Sequence, residues 1–178
     1  MIFYFYHFPG HEITHGFDNT GILFDSHGNL NLEYDPSTMF AFNNASNCIH
    51  QQYSAYRING MNVDANLTLG ENIADQGGLR FAEIAYENWL SKNSWSDATL
   101  PGLEHFTHRQ LFYLGYAMPW CAAYGKDTLE DQMLVDTHSP EEFRINGPLS
   151  NSARFSETWS CKSGSPMNPK DKCTIWGK

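Results

Sequence analysis

Apolar positions recur at helical spacing along much of the chain, and the strongest run begins at Leu69. Leu69, Ile73, Leu79, Ala82, Ile84, Ala85, Trp89 and Leu90 predict one long helix to about Ser91, with Thr68 and Glu71 at capping-box spacing at its start. Ile49, Tyr53 and Tyr56 predict a shorter helix from Cys48 to about Ile58, closed by Asn59-Gly60. The run from Phe106 to Tyr124 predicts a buried helix, bent or interrupted near Pro119. Ser139-Pro140-Glu141-Glu142 reads as N-cap, N1 proline and capping-box glutamate of a short helix that Gly147-Pro148 stops, and Asn151 caps a last helix to about Ser160. Near the start, Pro9 suits a first helical turn, and His11 to Phe17 reads as a short helix ending at Asp18, Asn19 and Gly21. The stretch from 19 to about 47, rich in Asn with Gly21, Gly28 and Pro36, reads as loop with short strands at most. Lys92 to Gly102 reads as a linker, and 163–178 as an irregular tail. With no repeat and no second hydrophobic core, the expectation is one mainly α unit.

With 178 residues, 41% of them hydrophobic, the chain can bury a sizeable core. Twenty acidic against 11 basic side chains, a formal charge of -9 and no basic cluster make nucleic acid and anionic membrane surfaces poor partners. No apolar run approaches the roughly 20 residues that span a bilayer. Residues 1–8, MIFYFYHF, form an atypical leader without a basic flank or a small-residue cleavage site. Four cysteines without CxxC spacing and two acceptor sequons, at Asn44 and Asn66, nevertheless favour a secretory compartment. A secretory composition without an export signal suggests a piece of a longer polypeptide.

The chemistry starts at His11-Glu12-Ile13-Thr14-His15, an HExxH pattern on a predicted helix. Residues four apart share a face, so both imidazoles can reach one zinc ion with Glu12 beside it. Two histidines and a glutamate on an ordinary solvated face are the plain alternative. In the extended pattern HExxHxxGxxH, positions 18 and 21 would be Gly and His; they are Asp18 and Gly21, which excludes that class. A later helix offers Glu71 and Asp75, four apart, one to ligate and one to orient a ligand histidine. A capping role for Glu71 competes with this. Gly77-Gly78, inside an otherwise strong helix, costs about 1 kcal/mol per residue relative to alanine and makes sense if another helix approaches closely.

The segments PGHEITHGFD, LTLGENIADQGGL, QLFYLGYAMPWC, VDTHSPEEFRINGPLSN and MNPKDKCTIW occur in this order. Together, over positions 9 to 176, they resemble the C-terminal catalytic lobe of neprilysin-family zinc metallopeptidases, the M13 family, which includes endothelin-converting enzymes. The resemblance implies residues 9–178 as a helical catalytic lobe of a thermolysin-like (gluzincin) zinc peptidase. It implies one zinc per chain on His11, His15 and Glu71, with Glu12 as general base. Asp75, Asp18 and Asp136 are then supporting carboxylates, His138 stabilises the oxyanion, and Arg144 contacts the substrate backbone or its terminal carboxylate. The implied reaction is hydrolysis of short peptides by Glu-assisted attack of zinc-bound water, and the implied location an extracellular or plasma-membrane ectodomain. Cys48 is expected to pair with Cys173, and Cys121 and Cys161 to pair with an absent N-terminal lobe.

The chain also departs from the family pattern. An upstream peptide-binding strand with an Asn-Ala-aromatic motif is absent, and His7-Phe8-Pro9-Gly10 stands where an apolar pair and a glycine are usual, with Pro9 expected to interrupt the helix. The pocket for the residue after the cut would use His7, Phe8, Pro119 and Trp120. An inactive secreted glycoprotein module that binds peptides or partners is the alternative to the enzyme. A structural zinc site would need four protein ligands where three are offered.

Overall fold

The computed structural model describes residues 7–31, 34–93 and 100–176. Residues 1–6 of the expected leader and 94–99 of the expected linker lie outside them. The described chain is mainly α: α1 (His7–His15), α2 (Pro36–Ser54), a hairpin of β1 (Arg57–Ile58) and β2 (Met61–Asn62), α3 (Ala65–Lys92), α4 (His108–Ala117), α5 (Lys126–Val135), α6 (Glu141–Asn151) and α7 (Ala153–Thr158). Among the described residues no helix is long and apolar enough to cross a membrane.

Several boundaries differ from the sequence expectation, each for a local reason. The long helix α3 starts at Ala65 under Asp64, whose carboxylate accepts from the Asn66 and Leu67 N–H groups. Thr68 is already inside it and donates its hydroxyl to the Asp64 carbonyl at 3.0 Å, so Thr68 and Glu71 form no capping box and Glu71 is left to face α1. The expected loop before Asn47 is largely helix. Asp35 caps Pro36 by accepting from the Thr38 N–H, and Phe42, Ser46, Ile49 and Tyr53 make one buried stripe while Asn43, Asn44 and Asn47 fall on the exposed face. Asn59-Gly60 does not end a helix. It turns the β hairpin, with φ of 50° and 87° at the two residues.

The run at 106–124 contracts to α4, opened by a Thr107–Gln110 capping box, and Pro119 sits in a 3-10 turn, Met118–Trp120. Helix α5 was not expected, because only Leu129 and Met133 of it are buried, among charged neighbours. In α6 the predicted stop at Gly147-Pro148 does not occur. A proline at 148 cannot donate to the carbonyl of Arg144, and that carbonyl is satisfied by the Tyr116 hydroxyl at 2.8 Å instead. Ser139 does not cap α6, since its hydroxyl donates to Asn72 Oδ1 at 2.8 Å, and Ser152 rather than Asn151 caps α7. Pro9 does not break α1 either: the helix runs through it from His7 to His15.

Buried apolar residues form two clusters along α3, where the sequence suggested a single core. One gathers Phe42, Ile49, Tyr53, Ala65, Ile73, Phe143 and Cys173, and the other Leu79, Tyr113, Tyr116 and Leu149. Cys48 and Cys173 are disulfide-bonded within the first cluster, across 125 residues of chain, and Cys121 and Cys161 are free.

Helix α1 lies on α3 with almost no side chain between them. A Cβ on Gly78 would stand 2.8 Å from the His7 carbonyl oxygen and 2.9 Å from the His11 nitrogen, and one on Gly77 2.2 Å from Thr14 Oγ1. Gly10 meets Gly78 from the other side. Only glycine allows this approach, and the approach sets the site.

Candidate metal centre

One helical turn separates His11 from His15 on α1, and across the glycine contact Glu71 of α3 faces both. The two Nε2 atoms are 3.0 Å apart; Glu71 Oε2 lies 3.2 Å from His11 Nε2, and Glu71 Oε1 lies 3.6 Å from His15 Nε2. The Nδ1 edges are held from behind, His11 by Asp75 Oδ1 at 2.8 Å and His15 by Asp18 Oδ2 at 2.8 Å. A carboxylate at Nδ1 keeps the proton there and leaves Nε2 available as a donor to a cation. Asp18 is fixed in turn, accepting from the Thr20 and Gly21 N–H groups at 2.7 Å each.

Behind His11, the fully buried Asp75 also receives two parallel hydrogen bonds from Arg144, at 2.7 and 2.8 Å. His138 enters from the segment after α5, its Nδ1 2.7 Å from Asp136 Oδ1 and its Nε2 3.2 Å from Glu71 Oε2. Asn72, to which the sequence assigned no role, and Ser139, expected there only as a helix cap, tie that segment to α3: Ser139 donates to Asn72 Oδ1, and Asn72 Nδ2 donates to Thr68 Oγ1 at 3.0 Å. The available signal was a polar Asn inside a strong helix, which calls for a specific partner.

Charges in the cluster are strongly coupled. Burial opposes charge on His11, but hydrogen bonds to Asp75 and Glu71 outweigh it and raise its pKa to about 9. Burial would raise Asp75, yet Arg144 and His11 hold it at about 2. Glu71 is likewise pushed up by burial and brought below the usual carboxylate range by the His11 hydrogen bond and the His138 and His15 charges. His7 has burial as its dominant influence and falls to about 4.

These residues suit a cation. His11, His15 and Glu71 each offer one ligand atom within 4.8 Å of the others, and Glu71 Oε2, although buried, has no well-aligned hydrogen bond of its own. A second trio, His7, His11 and Asp75, meets the same distance, but the Arg144 guanidinium already occupies Asp75 and would repel a metal.

The remaining expected residues fall into two groups. Glu12 is exposed on α1 beside the two histidines. His7, Phe8, Trp120 and Arg144 form one cluster: the His7 and Phe8 rings lie 6.0 and 5.9 Å from Trp120, with the Arg144 guanidinium 4.1 Å over the same ring. Pro119 is half-buried next to Trp120, and His7 is buried against Tyr116, not open to a pocket. Asn44 and Asn66 are exposed on α2 and at the start of α3, and Asn66 Oδ1 meets His50 Nε2 at 3.0 Å.

The sequence profile of peptidase family M13 matches residues 7–175. Endothelin-converting enzyme 1 of Cavia porcellus is 47% identical over 167 residues, 94% of this chain and 22% of that protein. Neprilysin-1 of Caenorhabditis elegans is 45% identical over 169 residues, with the same shares. Among solved structures, zinc metalloprotease ZMP1 of Mycobacterium tuberculosis in complex with inhibitor superposes with a TM-score of 0.85 at 29% identity, over 96% of this chain and 27% of that one. The Haemonchus galactose containing glycoprotein complex gives 0.86 at 34%, over 94% and 28%. The chain thus spans about a fifth of the length of the curated relatives it matches.

Proposed function

The chain belongs to peptidase family M13, and from that premise we propose that it forms the zinc-binding catalytic portion of an endopeptidase that hydrolyses short peptides. The observation that carries this reading is the meeting of His11 Nε2, His15 Nε2 and Glu71, with Glu12 one residue from the first ligand. Zinc on these three residues would supply Lewis acidity, polarising a carbonyl and making water acidic near neutral pH. Glu12 is the general base: its carboxylate takes the proton of the attacking water and returns it to the leaving amine. His138, oriented through Nδ1 by Asp136, presents Nε2 to the oxyanion that develops on the scissile carbonyl. Asp75 and Asp18 orient the two ligand histidines.

Arg144 has two duties in this reading. It neutralises Asp75, and the guanidinium edge toward Glu71, 3.8 Å from Oε2, is placed to hold a substrate carbonyl or terminal carboxylate. The aromatic cluster of Phe8, Pro119 and Trp120, with His7 beneath, receives the residue after the cut, an apolar one. The Cys48–Cys173 disulfide and the exposed Asn44 and Asn66 sequons support an extracellular setting with glycosylation at both positions. Cys121 and Cys161 are available for bonds to the rest of a longer polypeptide.

Zinc content and cleavage of a quenched peptide, measured together, test the assignment. Glu71→Ala removes a ligand and should lose both metal and activity. Glu12→Gln should keep stoichiometric zinc and lower kcat by about 10²–10⁴-fold. Equal zinc loss in the two variants would overturn it, and full zinc without hydrolysis in the unmodified chain would favour a binding module.

A further inference from the structure

Away from the metal centre, α3, α7 and the C-terminal segment enclose a cleft of about 220 Å³ whose walls include Arg80, Glu83, Ser152, Arg154, Lys172 and Trp176. Its charge runs against that of the molecule. In a chain of net charge -9, three of the 11 basic side chains gather here. The ion pairs of the described residues employ Arg109, Lys126 and Arg144, leaving Arg80, Arg154 and Lys172 without a carboxylate within 4 Å. Arg154 reaches only the Glu83 backbone carbonyl, at 3.4 Å, and Lys172 donates to the Ser150 carbonyl and Ser156 Oγ. The one carboxyl in the wall, Glu83, is a weak competitor. Its Oε1 is already taken by the Tyr113 and Ser152 hydroxyls, and burial, the dominant influence, shifts it toward the neutral form despite them. Burial likewise disfavours charge on Lys172, a cost that a bound anion would relieve.

We propose that this cleft is a binding site for a compact oxyanion of the phosphate type, held by Arg80, Arg154 and Lys172. Two guanidinium groups and an ammonium suit a tetrahedral, multiply charged ligand, and the volume is below the roughly 300 Å³ at which drug-sized pockets begin. Trp176 lines the same cleft and its indole Nε1 is buried without a partner, so its N–H resonance reports on occupancy. None of His11, His15, Glu71, Asp75, His138 or Arg144 contributes to the wall, and the proposal stands whether or not the chain cleaves peptides.

The test is a titration of the full chain with inorganic phosphate at constant ionic strength, following the Trp176 indole resonance and the thermal midpoint. A saturable shift and a rising midpoint are expected. Arg80→Gln and Arg154→Gln should each weaken phosphate by about tenfold or more, while Arg57→Gln, in the hairpin, should leave it unchanged. Glu83→Gln keeps an acceptor for Tyr113 and Ser152 and should leave phosphate binding equal or tighter. O-phosphoserine in place of phosphate separates the sources: equal binding points to an esterified phosphate, and binding of the inorganic ion alone to a free one. No saturable shift in the unmodified chain, an unchanged affinity in the Arg80→Gln/Arg154→Gln pair, or weaker binding in Glu83→Gln would each overturn the proposal.

Discussion

Gly78→Ala sets two physical effects against each other. Helix propensity alone favours alanine by about 1 kcal/mol inside α3. Packing opposes it, because the new Cβ would sit 2.8 Å from the His7 carbonyl oxygen and 2.9 Å from the His11 backbone nitrogen. Backbone atoms cannot rotate away, so α1 has to retreat by roughly 0.6 Å, the difference between 2.8 Å and an ordinary 3.4 Å contact. Overpacking of this kind costs about 1–3 kcal/mol, and contacts to backbone belong at the upper end, for a net loss of roughly 1–2 kcal/mol. The site should suffer more than the fold. His11 and His15 ride on α1 while Glu71 stays on α3, and metal–ligand distances tolerate only about 0.2 Å. We expect zinc affinity to fall about 10–100-fold, the range for lost ligand positioning. Urea unfolding of the metal-free chain and competition against a chromophoric chelator measure the two effects. A variant that gains about 1 kcal/mol and binds zinc as before would show that the glycine contact does not position the ligands.

Asp75→Asn should cost about 3–5 kcal/mol in urea unfolding, because it removes the charge that accepts both hydrogen bonds of the buried Arg144 and leaves only the longer contact to Glu71, at 3.8 Å. The native Asp75 pKa of about 2 lies below its unfolded value of about 3.9, so its contribution is complete above the unfolded value and is lost as pH falls through the folded one. The variant should lack that part of the acid transition, and an identical acid limb in both proteins would contradict the pairing. Glu83 behaves in the opposite sense. Its raised pKa makes its contribution complete below the unfolded value and lost as pH rises through the folded one, so Glu83→Gln should be the more stable protein at neutral pH by thermal melting. Reduction of Cys48–Cys173 frees a loop of 125 residues and should lower stability by up to nearly 5 kcal/mol on the chain-entropy model; an unchanged urea midpoint after reduction would refute it.

Several elements were legible because their information is local. HExxH needs only one helical turn to bring two imidazoles together, and α3 carries a long periodic stripe that no neighbour has to complete. The glycine pair was also readable, since two glycines inside such a helix have a cost that calls for a close partner. The helix at Pro36 was not. Its polar Asn positions resemble a loop until the core shows that Phe42, Ser46, Ile49 and Tyr53 share the buried face. The continuation of α6 through Pro148 was beyond local reading for a similar reason: the carbonyl that the proline cannot serve is satisfied by Tyr116, 28 residues earlier in the chain.

For the site, the amino-acid sequence by itself determined which groups can carry the chemistry: two histidines and a glutamate on one short helix, a pair of carboxylates on a long one, and a histidine flanked by Asp136. Those are matters of residue type and of spacing within one turn. Tertiary structure alone decided how they are shared. Asp75 is divided between His11 and Arg144, His138 points its Nε2 at Glu71, and Ser139 ties its segment to Asn72 instead of capping α6. Each of these contacts joins residues that are more than 60 positions apart or belong to different elements. Their partners are chosen by burial and helix crossing, where an unpaired polar group costs several kcal/mol and must find its neighbour in space, not in the chain.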